Sequence, residues 1–257
     1  MSAFSLVEGD GPIVATAIHD GHELRMECDK LMVLDEATRL REEDPFTGQI
    51  AATAPTHLIV AQSRFEVDLN RPRAKAVYRC AEDAWGLDVW STPLLDDVVT
   101  RSLAVYDGFY REIERVLSER ERRHGRFVVL DIHSYNHRRD GGDGAAADAA
   151  ANPEINIGTG SLDRTRWGGL VDRFIRELAA AAPNGSPLDV RENVKFKGGE
   201  LSKWVHRTFP TTGCCLAVEF KKTFMNEWTG EVVEARLAAL ARAVASTLPG
   251  LVESLRP

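Results

Sequence analysis

A chain of 257 residues, 44% hydrophobic and 28% charged, has the length and make-up of one large globular domain. Its formal charge of −7 excludes a nucleic-acid surface, which needs a concentrated basic face, but leaves room for a small anionic ligand met by a few arginines. No apolar run reaches the roughly 20 residues that span a bilayer, and the first ten residues lack the basic-then-apolar order of a secretory signal. Cys28, Cys80, Cys214 and Cys215 have no zinc-knuckle spacing and read as free thiols, so the expectation is a cytoplasmic protein without a membrane partner.

In chain order, strand-like runs are expected at 12–18, 57–62, 126–132, 187–192 and 215–220. Helical periods cover 93–123, as one helix or two broken near Gly108, and then 161–182 and 230–255. This alternation predicts an α/β fold, a central, mostly parallel or mixed sheet with helices on both faces, in a single domain over 1–257. Residues 138–152, glycine-rich at their start and then alanine-rich, are expected to form a mobile loop beside the site. A lid and a solvated insertion are both compatible with that composition.

Three of the apolar runs end on polar residues of metallohydrolase type. Pro12–Ile18 leads into His19 and His22, Arg126–Leu130 into Asp131 and His133, and Cys215–Val218 into Glu219. Ends of neighbouring parallel strands converge on one edge of a sheet, where α/β enzymes carry their sites. On a turn or a first helical turn, His19 and His22 would face one point, and His133 would add a third nitrogen, leaving an open position for water on a single zinc ion. Asp131, on the same side of its strand as His133, could orient an imidazole or cap the following turn. Glu219 reads as a general base or as the partner of Lys221 or Lys222. Glu23 competes with His22 for the second ligand position, and His137 is a further site candidate.

A fourth cluster follows the second strand: Ser63, Arg64, Glu66, Asp68, Asn70 and Arg71, closed by Pro72. Arginine binds carboxylates through a planar fork and can meet an oxyanion, so Arg64 and the Asn70–Arg71 pair point to a substrate carboxylate beside the scissile carbonyl. Arg39, Arg41, Glu42, Glu43 and Asp44 precede the turn Pro45–Gly48, and the sequence assigns them no role.

Ile18-His-Asp-Gly21, Ser63-Arg-Phe-Glu-Val-Asp-Leu-Asn-Arg71, Asp131-Ile-His-Ser134 and Val218-Glu-Phe220, in this order, resemble the N-formylglutamate amidohydrolase family. Asn156-Ile-Gly-Thr159, Phe196-Lys-Gly-Gly199 and Lys222-Thr-Phe-Met-Asn-Glu227 extend the likeness over roughly residues 10–230. That family is similar in turn to the zinc carboxypeptidases and aspartoacylases, whose fold is built on a mixed sheet. The resemblance implies His19, His22 and His133 as zinc ligands, Arg64 on the carbonyl, Asn70 and Arg71 on a carboxylate, and Glu219 activating water. It departs at His22, where the broader group has glutamate. The activity implied is hydrolysis of a linear amide C–N bond in a small N-acyl acidic amino acid such as N-formyl-L-glutamate. A carboxypeptidase-like peptidase and a non-catalytic metal- or ligand-binding member are the competing readings, and the sequence is silent on oligomeric state.

Overall fold

The computed structural model describes residues 3–181 and 185–256. Seven strands form one mixed sheet in the order β1-β3-β2-β4-β7-β5-β6. They are β1 (Phe4–Val7), β2 (Ile13–Ala17), β3 (Thr56–Val60), β4 (Phe127–Tyr135), β5 (Ile155–Gly158), β6 (Val190–Glu192) and β7 (Gly213–Lys221). The centre, β3-β2-β4-β7, is parallel; β1 pairs antiparallel with β3, and β5 antiparallel with β7.

The alternation of side chains along each strand sorts the core into two layers. Val128, Leu130 and Ile132 of β4, with Cys214, Leu216 and Val218 of β7, pack under α5 (Arg164–Ala180) and α7 (Glu234–Ser254). Phe127 and Val129, with Val14 and Cys215, face α4 (Asp96–His124) and α6 (Glu200–Thr208). Three shorter helices, α1 (Met26–Asp29), α2 (Glu36–Glu42) and α3 (Thr47–Ala51), lie between β2 and β3.

The α/β architecture with helices on both faces is the one expected. Helix α4 runs unbroken for 29 residues through Gly108, because Tyr106, Phe109, Tyr110, Ile113, Val116 and Leu117 keep a buried stripe at helical spacing. Gly125, with φ at 75°, ends it. The run at 187–192 shortens to β6, and β1, β5 and α6 are additions to the expected elements. Helix α7 has the length and mean hydropathy, 1.2, of a membrane span; its Leu237, Leu240, Val244 and Leu251 are buried in the core beside α5. All four cysteines are free, and only Cys80 is exposed.

Candidate active site

The C-terminal ends of β2, β4 and β7 meet at one edge, as strand-end residues at a parallel centre must. His133 stands in register with Glu219, and Thr16 with Asp131. The odd-numbered residues Asp131 and His133 of β4 and Glu219 of β7 share the face that further back carries Val129 and Cys215. All three are buried, as is His19, two residues past β2. His19, His133 and Glu219 border a cavity of about 440 Å³ together with Arg41, Glu42, Asp44, Arg64, Asn70, Trp85, Lys195 and Lys222, among others.

His19 and His133 lie ring to ring, with centroids 4.9 Å apart, and Asp44 joins them. Asp44 Oδ2 is 2.9 Å from His133 Nδ1 and 3.4 Å from His19 Nδ1. The opposite ring nitrogens are anchored by other carboxylates: His19 Nε2 lies 2.8 Å from Asp68 Oδ1, and His133 Nε2 lies 3.0 Å from Asp131 Oδ2. Thr16 Oγ1 in turn donates to Asp131 Oδ1 at 2.8 Å. All four ring nitrogens thus face carboxylates, which can only accept; with one proton per ring, held on Nε2, both Nδ1 lone pairs are turned toward Asp44. Two imidazole lone pairs and a carboxylate facing one another need positive charge between them, as protons or as a metal ion.

Among the described residues this is one cluster whose three donor atoms all lie within 4.8 Å of one another. Its buried nitrogen–nitrogen–oxygen donor set, with carboxylates behind both rings, fits a divalent metal such as zinc. Burial opposes the charge on Asp44, yet its bonds to His133 and His19 hold its carboxyl well below the usual range.

The structure does not bring His22, expected as the second ligand, into this cluster. The pairing of residues three apart requires a helical turn, and no helix intervenes between 19 and 22. Gly21 instead crosses against β3, where a Cβ would stand 2.1 Å from the carbonyl carbon of Ala61. Glu23 then pairs with Gln62 as a parallel bridge. His22 is thereby aimed at Glu43 through Nδ1 and at Arg39 through Nε2, 3.0 Å away. The exposed Glu23 does not join the cluster either. His137 borders a different cavity, with its Nε2 3.9 Å from Glu227.

Asp44, which the sequence left without a role, occupies the place expected of His22. Its N–H donates to His19 O at 2.9 Å, and Thr47 Oγ1 donates back to Asp44 O at 2.6 Å. From the far end of β7 the buried Lys222 ammonium donates to Arg41 O and to Glu43 O, the latter at 2.7 Å. Phe46, with φ at 70°, makes the sharp turn into α3, a backbone conformation that β-carbon sterics disfavour and that the surrounding bonds hold in place.

Glu219 makes no side-chain hydrogen bond or ion pair among the described residues; Lys222 is engaged elsewhere. Burial, opposed by the neighbouring His133 and reinforced by Asp44 and Asp131, pushes its carboxyl up to about 7. A carboxyl of that kind exchanges protons near neutrality. Arg64 reaches the same cavity, with Nη2 donating to Asp68 Oδ2 at 2.8 Å and its guanidinium 4.8 Å from the centre of the Trp85 ring. Asp68 is the buried hub beneath, accepting also from Tyr78 and from Asn70 N.

Asn70 lines the cavity, its Oδ1 accepting from Leu201 N at 3.2 Å and its Nδ2 3.3 Å from His133 Nε2. Arg71, expected beside Asn70 as a substrate contact, does not line it. Its guanidinium lies 5.0 Å over Tyr78 and 5.6 Å over Trp85, with Nε 3.6 Å from Asp68, so the aromatic pair draws it away from the open space. The cavity's basic residues are instead Arg41, Arg64, Arg139, Lys195 and Lys222. Arg139 comes from the irregular segment 138–152, whose root is tied by Glu227: its carboxylate accepts the N–H groups of His137 and Arg138, each at 2.8 Å.

The model of the N-formylglutamate amidohydrolase family matches residues 11–225. The chain therefore belongs to that family, as the order of its motifs implied, and is an amidohydrolase. It is similar to an N-formylglutamate amidohydrolase from Ralstonia eutropha JMP134, with 18% identity over 100% of this chain and 99% of that one and a TM-score of 0.80. The gene product Atu2144 from Agrobacterium tumefaciens gives 18% identity over 99% and 95% and a TM-score of 0.65. Likenesses at that identity speak for the fold alone. A metallo-carboxypeptidase from Burkholderia cenocepacia, at 17% identity over 95% and 57%, has a TM-score of 0.39, too slight to argue from. No curated protein matches the sequence.

Proposed function

We propose that this member of the N-formylglutamate amidohydrolase family removes an N-acyl group, a formyl group above all, from a small acidic amino acid such as N-formyl-L-glutamate, and does so with one zinc ion. The observation that carries the reading is the convergence of His19 Nδ1, His133 Nδ1 and Asp44 Oδ2 beside a buried, unpaired Glu219 in a cavity rich in cations. His19, Asp44 and His133 would hold the metal, which when bound supplies polarisation of the amide carbonyl and a lowered pKa for water.

The rest of the chemistry belongs to this chain's own side chains. Glu219 takes the proton of the attacking water and delivers it to the leaving nitrogen. The Arg64 guanidinium, kept charged by Asp68 despite burial, faces the oxyanion that develops on the carbonyl. Asn70 borders the substrate's carboxylate. Asp68 and Asp131 fix the two imidazoles from behind, so that neither ring must reorient during turnover. The substrate is a small-molecule carboxylate, and four free thiols suit a reducing compartment such as the cytoplasm.

Formate release from N-formylglutamate by zinc-loaded protein tests the reading. Glu219→Gln should lower kcat by about 10²- to 10⁴-fold, the range of general acid–base catalysis, while zinc content stays at one per chain. Failure of zinc-replete wild type to hydrolyse any N-acyl amino acid would refute it.

A further inference from the structure

The cavity runs along the strand ends, and its two flanks differ. On the β3 side stand Arg64 and Asn70; on the far side, beyond β7, the segment after β6 contributes Lys195 and Phe196, and the loop after β4 contributes Arg139. Most of the cavity's cations are already matched. Arg41 lies 3.2 Å from Glu42, Arg64 meets Asp68, and Lys222 is taken up by two backbone carbonyls. Arg139 and Lys195 are not: among the described residues neither has a carboxylate partner within ion-pair distance. Arg139 makes no side-chain hydrogen bond at all, whereas its neighbour Arg138 is spent on Gly142 O and Gly144 O.

Lys195 is nevertheless held in place. Its ammonium donates to Asn152 Oδ1 at 2.6 Å and lies 5.2 Å over the Tyr135 ring and 5.7 Å over the Phe196 ring. Asn152 is itself buried and donates to Asp148 O at 2.9 Å. Burial first, and then the positive charges of Arg139 and Lys221, hold the Lys195 ammonium below its usual range. Lys221 is offset by Asp189 and Glu154, but nothing comparable offsets the Arg139–Lys195 pair. Arg139 is exposed and Lys195 half-buried, on separate segments at the rim of one cavity, and an anion between two such like charges turns their repulsion into attraction.

We propose that Arg139 and Lys195 form the subsite for a second carboxylate, the side-chain carboxylate of an acidic N-acyl amino acid, so that the enzyme selects dicarboxylates over monocarboxylates. This inference rests on the amidohydrolase reading above for its substrate but not for its binding test. Arg139, carried by the 138–152 segment, also gives that segment a function: it brings one of the two charges to the ligand.

Glutarate and butyrate share their carbon backbone but for the second carboxyl, and their calorimetric titration into zinc-loaded protein needs no turnover. Wild type should bind glutarate about 10- to 100-fold more tightly, the worth of a hydrogen bond to a charged group. Lys195→Met, which keeps the apolar stem over the two rings, and Arg139→Gln should each bring that ratio toward one with butyrate affinity unchanged. The same substitutions should raise KM for N-formylglutamate with kcat within about twofold, and leave N-formylnorvaline kinetics unaltered. Equal affinity for the two acids in wild type, or a glutarate preference that survives both substitutions, would overturn the proposal. A glutarate preference lost in both variants, in a protein that hydrolyses no amide, would uphold the subsite and refute the hydrolytic reading instead.

Discussion

His206 gives the sharpest quantitative test, because its protonation state can be deduced from its neighbours. Strand β5 ends opposite Ala217 of β7, and two residues earlier the Cys215 N–H donates to His206 Nε2 at 3.0 Å. An acceptor nitrogen carries no proton, so the ring is neutral and its Nδ1–H donates to Ser161 Oγ at 2.8 Å. Protonation would set one N–H against another in a largely dry place. Burial accordingly pushes the ring down to about 4 from its ordinary 6.5.

The unfolded chain takes up this proton first as the pH falls, so the stability His206 contributes is whole above 6.5 and is lost progressively toward 4. Between pH 7.5 and pH 5 the loss is about 2 kcal/mol. His206→Gln retains an acceptor for Cys215 N–H without the titration. Urea unfolding of both proteins at the two pH values should show the wild type's margin over the variant shrinking by about 2 kcal/mol on acidification. Other titrating groups cancel in the difference. A margin constant to within about 0.5 kcal/mol would mean that the ring is either charged at pH 7.5 or well solvated, and the deduced tautomer would be wrong. The consequence extends to the cavity, because the first turn of α6 holds Asn70, through Glu200 N to Asn70 O at 3.1 Å and Leu201 N to Asn70 Oδ1.

Asp44→Asn removes the anionic donor of the candidate metal corner, and zinc affinity, measured by chelator competition, should fall at least about 100-fold; His22→Asn should change it less than about tenfold. Unchanged affinity in Asp44→Asn would remove Asp44 from the ligand set. In Gly199→Ala the new Cβ would stand 2.2 Å from Asn70 Oδ1. The amide must move, and thermal unfolding should register a loss of about 1–3 kcal/mol together with a raised KM at constant zinc content. Glu227→Gln replaces a charged acceptor of two backbone N–H groups by a neutral one. Limited proteolysis within 138–147 should accelerate several-fold, while cleavage elsewhere is unaffected.

What could be read from the sequence divides along physical lines. His19, His133 and Glu219 stand at the ends of apolar runs, and the convergence of parallel strands then brings them together without further information. Asp44 belongs to no strand. Its position is set by a bond to His19 O and by Lys222, far along the chain, so no local pattern announces it. His22 and Arg71 stand apart from the residues expected beside them for one reason, that spacing alone does not fix direction. The contact of Gly21 with Ala61 turns one outward, and the Tyr78–Trp85 pair draws the other aside. Strands β1 and β5, four residues each, are too short for alternation to stand out, and both owe their existence to a longer neighbour. An expected salt bridge between Glu219 and Lys222 gave way because backbone carbonyls claimed the ammonium.

That claim has an evolutionary side. Lys222 grips the Arg41–Asp44 stretch by its main chain, and main-chain oxygens are present whatever side chains residues 41 and 43 carry. The side chains of Arg41 and Glu42, which border the cavity, are therefore uncoupled from the placement of Asp44 two or three peptide units away. Positions 41 and 42 are where a lineage, or an engineer, can rewrite what the cavity accepts while the donor beside them stays in register.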